Sequence, residues 1–76
     1  MKIEWKDGAE ILVRHEAGTT VISANREGLL SLSGILAALA HESEGSHVHL
    51  DAYNALEDGS SGLILEKTAA ETDRGS

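Results

Sequence analysis

The stretch 25-NREGLLSLSGILAALAH-41 decides the fold, because the apolar residues change their period there. Leu29, Leu32, Leu36 and Leu39 recur at helical spacing, with Ile35 and Ala40 alongside, so a helix is predicted from Arg26 to about His41. Asn25 suits the N-cap, where its side chain can accept from a free amide of the first turn. Glu27 places a negative charge where the helix dipole favours one. The leucine stripe is expected to cover one face of a sheet. The other side is unusual for a solvated helix, which normally carries Glu, Lys or Arg. Ser31, Gly34, Ala38 and His41 lie along one line, with Leu30 and Ala37 beside it. Such a face is either an alanine-rich helix and nothing more, or a contact for a second copy through Leu30, Gly34 and Ala38.

Working outward, the residues on both sides alternate with a period of two. The opening MKIEW has Ile3 and Trp5 on one side and reads as a short strand. The pair 7-DG-8 is a two-residue hairpin signal, since a primed turn needs positive φ at both positions. EILVRHE (10–16) is the second strand, Gly18 sits in the next turn, and the β-branched TTVISA (19–24) is the third. After the helix, the loop 42-ESEGS-46 leads into 47-HVHLD-51, a longer connection over 52–61, and 62-GLILEKT-68. The expected order is β-β-β-α-β-β: an α+β fold, a largely antiparallel sheet with one helix packed on one face. Residues 1–68 are expected to form a single domain, and 69–76, without an apolar anchor, a disordered tail. Trp5 is assigned to the core and Tyr53 to a contact surface.

Seventy-six residues suffice for one domain with one modest core. The chain has no cysteine, so it has no disulfide framework and no thiolate chemistry. No apolar run approaches the roughly 20 residues that span a bilayer, and no secretory leader is legible, which points to the cytoplasm and away from the membrane. Thirteen acidic against six basic residues give a formal charge of −7. That argues against nucleic acid, which calls for a basic footprint. It suits a basic protein partner, although solubility alone would account for it.

In 47-HVHLD-51, strand geometry would put His47, His49 and Asp51 on one face and Val48 and Leu50 on the other. Two imidazoles can ligate zinc if a third ligand joins them, and His15 or His41 could arrive through folding. No companion motif accompanies them. The preferred reading makes Val48 and Leu50 core and leaves the polar trio facing water, with no metal and no cofactor. No serine sits in a G-x-S-x-G elbow, no glycines form a phosphate loop, and 57-EDGS-60 reads as a turn. Little depth remains for a pocket. The chain is not expected to be an enzyme.

The segments 25-NREGLLSL-32, 47-HVHLD-51 and 56-LEDGSSGLILEK-67 resemble the Immunity protein 32 family, the antidotes of bacterial polymorphic toxin systems. The resemblance runs from about Val21 to Lys67. It implies a small cytoplasmic α+β protein that binds and neutralises a cognate toxin, with no catalysis and no cofactor. The residues themselves suggest the contact surface: Glu42, Glu44, Asp51, Tyr53, Glu57 and Asp58, bordered by His47 and His49, facing a toxin with a basic cleft. Two other readings stay open, a small metal-binding protein or enzyme using His47 and His49, and a self-associating structural domain.

Overall fold

Ala17 and Gly18 both take positive φ, 50° and 82°, and this pair sets the first hairpin. Two central residues of that sign make the primed turn whose twist matches paired strands. β1 (Ile11–Glu16) and β2 (Thr19–Ala24) accordingly pair antiparallel, from Glu16 opposite Thr19 to Ile11 opposite Ala24. α1 (Arg26–Ala40) follows, then β3 (His47–Leu50) and β4 (Leu63–Glu66), antiparallel with His47 opposite Glu66 and Leu50 opposite Leu63. The computed structural model describes residues 3–69. The α+β class is as expected, but the strands make two two-stranded sheets. Of the expected tail 69–76, Ala69 is exposed and irregular, and the rest lies outside the described residues.

Among the described residues the first expected strand is not formed, since Ile3, Glu4 and Trp5 are irregular, and the order is β-β-α-β-β. Two causes are visible. At 7-DG-8 only Gly8 takes positive φ, and the turn is closed by the Ala9 amide donating to the Lys6 carbonyl at 3.1 Å. That turn lacks the paired positive φ of a tight hairpin. Moreover, the edge of β1 that a preceding strand would need is taken. The amides of Glu57 and Ser61 donate to the carbonyls of Ile11 and Val13 at 2.7 and 2.8 Å. In return the Val13 amide donates to Ser60 Oγ at 3.1 Å. The β3–β4 connection therefore runs along β1 and ties the two sheets together. The N-terminal segment turns to the helix, where the Lys6 amide donates to Ser31 Oγ at 2.9 Å.

The core comprises Ile11, Val13, Leu32, Ile35, Leu39, Val48, Leu50 and Leu56, each contributing on the order of 2 kcal/mol by leaving water. Ala24, Ala55, Leu63 and Leu65 pack at its margin. The buried face of α1 differs from the expected leucine stripe: Leu29 and Leu36 are 55% and 51% exposed, and Ala40 is exposed too. Gly28 and Ser31 are buried in their place. A Cβ on Gly28 would lie 2.5 Å from the Glu10 carbonyl oxygen and 3.1 Å from Ala24 Cβ. The helix thus turns Gly28 toward the hairpin and Ser31 toward the N-terminal segment, contacts that counting large apolar side chains does not reveal.

Candidate functional site

The loop from Glu42 to Ser46 and the strand β3 are held by bonds at their base. At the helix end, the amides of His41 and Glu42 donate to the Ala38 and Leu39 carbonyls at 3.1 and 3.0 Å. Gly45, with φ of 89°, closes the following turn, in which the Ser46 amide donates to the Ser43 carbonyl at 3.1 Å. Lys67 then anchors the loop from the opposite strand. Its backbone exchanges bonds with Gly45 and Ser46 at 2.8 and 2.9 Å. Its ammonium donates to the carbonyls of Ala40 and Glu42 at 2.8 and 2.7 Å. No basic residue lies in the last turn of α1, so Lys67 supplies the cation that a helix C-terminus favours.

Above this base lies an open groove of about 680 Å³, whose lining includes Ile3, Glu42, Glu44, His47 and His49. Val48 and Leu50 point inward and are 5% and 2% exposed, while both histidines face out, as the alternation requires. The two imidazoles stand with ring centroids 5.0 Å apart, tilted by 51°. His47 Nδ1 is 3.2 Å from the Gly45 carbonyl. Across the ladder, Glu66 lies opposite His47 and Ile64 opposite His49. Glu66 is a neighbour the sequence reading missed; its signal was the two-residue alternation of 63-LILE-66, which puts it on the outward face.

Asp51 does not continue that face. β3 ends at Leu50, and the Asp51 carboxylate accepts from the Tyr53 amide at 2.9 Å. The Asp51 carbonyl accepts from Asn54, Ala55 and Leu56. Asn54 closes the knot, its Oδ1 accepting from the Asp51 amide at 2.9 Å and its Nδ2 donating to the His49 carbonyl at 3.0 Å. Short polar side chains that bond their own backbone in this way build turns. The expected row of three becomes a pair of histidines, and among the described residues no group of three His, Asp or Glu side chains could hold a metal ion.

The knot carries Tyr53 outward, 98% exposed. Glu57 and Asp58 are exposed as well, but line a second groove with Glu10, Leu12 and Asn25, among others. The proposed contact residues are therefore divided: Glu42, Glu44, His47 and His49 share one groove, Glu57 and Asp58 another, and Tyr53 stands on the connection whose chain joins them. Glu10 belongs to the second group and was not anticipated. Trp5 is not a core residue. At 37% exposure it lines a third groove with Lys6, Leu30, Ser31 and Gly34. The chain's own N-terminal segment thus occupies part of the small-residue line proposed for a second copy.

The model of one family, Immunity protein 32, matches residues 19–68. The chain belongs to the Immunity protein 32 family. No curated protein and no solved structure matches it. The family segment takes in β2, α1, β3 and β4, including Tyr53 and the lining of the first groove except Ile3, and omits β1, which supplies Ile11 and Val13 to the core. Membership in an immunity-protein family suggests a non-enzymatic role. Among the described residues no helix is long and apolar enough to cross a membrane.

Proposed function

We propose that the protein binds a cognate bacterial toxin in the cytoplasm and neutralises it stoichiometrically, with residues 1–68 acting as one α+β unit. The observation that carries this reading is the family match over residues 19–68, a segment that contains Glu42, Glu44, His47 and His49 of the acidic groove. Glu42, Glu44, His47 and His49 offer hydrogen-bond acceptors and negative charge on a β3 edge held from beneath by Lys67. Tyr53 supplies an aromatic surface that packs on a partner, and Glu57 and Asp58 extend the charge; Asp51 contributes by positioning Tyr53. With a net charge of −7, encounter with a toxin bearing a basic cleft is accelerated by complementary fields. A protein partner recognised in this way requires no metal, cofactor or nucleic acid.

The test is capture from a lysate of the source organism, followed by co-expression. A captured protein that arrests growth alone, and does not when the wild-type chain is co-expressed, supports the reading. Loss of protection with Glu44→Lys, Tyr53→Ala and Glu57→Lys combined supports the surface too. Protection by that triple variant equal to the wild type discards the surface and keeps the function. If no captured protein arrests growth, the proposal fails.

A further inference from the structure

Opposite residues of an antiparallel ladder alternate between pairs that exchange backbone bonds and pairs whose backbone groups turn outward. In the second sheet the Lys67 amide donates to the Ser46 carbonyl at 2.9 Å, and the register continues with Val48 opposite Leu65 and Leu50 opposite Leu63. The backbone groups of Lys67, Leu65 and Leu63 therefore face β3, and those of Ile64 and Glu66 face away from it. On β1 and β3 the outward carbonyls find partners within the chain, Ile11 and Val13 in the 57–61 connection and His49 in Asn54. Among the described residues nothing bonds the outward groups of Ile64 and Glu66. A lysine or a proline commonly blunts such an edge. The chain has no proline, and Lys67 is turned aside to the Ala40 and Glu42 carbonyls. We propose that a strand of the toxin pairs antiparallel with this open edge of β4, along 64–66.

The edge itself specifies this occupant. Two amides and two carbonyls at a spacing of two residues are matched by another extended backbone, which gives affinity through main-chain bonds and specificity through alternate side chains. Ile64, 59% exposed, and Glu66, also exposed, point to the face that carries His47 and His49, while Leu65 is half-buried on the other. Glu66 forms no ion pair among the described residues. Directly opposite residues share a face and interact most when their charges are opposite or both are apolar. An antiparallel strand meets Glu66 first, then Leu65, then Ile64, so its matching order is a lysine or arginine followed by two apolar residues. A second copy would bring another −7 to an edge that already carries Glu66, and β2, whose side chains are all uncharged, has nothing to select a basic strand. β4 has four residues, so the pairing is short and adds to the contact of the neighbouring acidic groove. This contact presupposes the toxin partner proposed above and assigns the backbone that the toxin engages.

Amide hydrogen exchange by nuclear magnetic resonance tests it, on the full chain alone and with the captured growth-arresting protein bound. In the free chain the Ile64 and Glu66 amides should exchange at least about tenfold faster than those of Leu65 and Lys67, which donate to β3. In the complex both should slow at least about tenfold, with the Ile22 amide of β2 unchanged. Ile64→Pro removes one outward donor and sets a ring where the toxin strand would lie, yet takes no bond from the β3–β4 ladder. It should weaken toxin binding at least about tenfold while Leu65 and Lys67 stay protected, and Ile64→Val should bind as the wild type does. Glu66→Lys repeats the test should the proline disturb the ladder, again with a loss of about tenfold or more. A complex in which Ile64 and Glu66 exchange as in the free chain overturns the strand pairing and leaves toxin binding standing. So does undiminished binding by a folded Ile64→Pro chain. Slow exchange of both amides in the free chain overturns it too, whether another segment or a second copy holds the edge. Where no captured protein arrests growth, the toxin reading fails and this contact falls with it.

Discussion

The first hairpin turns in two residues and meets the start of α1 at backbone distance, whereas β3 and β4 are joined by the whole of 51–62 and, beside the shared core, hold the carbonyls at the end of α1 with one long side chain. At the start, Asn25 Oδ1 accepts from Gly28 and Glu10 at 2.8 and 3.0 Å, and its Nδ2 donates to the Gly8 carbonyl at 2.8 Å. One side chain thereby joins the first turn, the residue that leads into β1, and the helix. At the end, Lys67 bridges two carbonyls with an ammonium on a flexible stem. The difference teaches where tolerance lies. The helix start has no slack, while the helix end can adjust beside the loop that carries Glu42 and Glu44.

Substitutions that break the comparison should follow that order. Gly28→Ala should be the most costly, about 3 kcal/mol, because the new methyl meets the Glu10 carbonyl and outweighs alanine's better helix propensity. Urea unfolding would measure it; a loss below about 1 kcal/mol would mean that the hairpin shifts freely from the helix. Asn25→Ala should cost about 2 kcal/mol, a cap and two further hydrogen bonds together. A loss no larger than that of an ordinary N-cap, near 1 kcal/mol, would show the bonds to Glu10 and Gly8 to be incidental. Lys67→Met keeps the stem and removes the ammonium, and should cost about 1 kcal/mol. Amide exchange should accelerate at Glu42–Ser46 in that variant more than at β1; equal acceleration at both would erase the contrast between the two ends. Ala17→Gly should move the other way. It relieves the left-handed backbone of a residue with a Cβ and should raise stability by about 0.5–1 kcal/mol, read as a higher thermal midpoint.

Parts of the site were legible from local pattern. The alternation in 47-HVHLD-51 told that Val48 and Leu50 enter the core and that the histidines do not, because strand geometry leaves no other choice. Asp51 broke the pattern one residue later, where a bond to its own loop was available. Glu57 and Asp58 were recognisable as a turn. Their separation from Glu42 and Glu44 was not, since it follows from the connection lying along β1. Leu29 and Leu36 were misjudged because helical spacing gives a face without saying what lies opposite. Two small residues, Gly28 and Ser31, decided which face was buried.

By itself the sequence determined the helix and its cap, four of the strands, the absence of cysteine chemistry and the kinship of residues 19–68. These depend on propensities and bonds spanning a few residues, which the chain carries wherever it goes. The tertiary structure alone decided that Ile3, Glu4 and Trp5 would not form a strand, that Ser60 and Lys67 would reach partners 47 and 25 residues away, and that Leu29 and Leu36 would stay exposed. Those outcomes are competitions for one edge or one face. Such a competition is settled by which distant segment arrives with its hydrogen bonds better met, a comparison that local sequence does not encode.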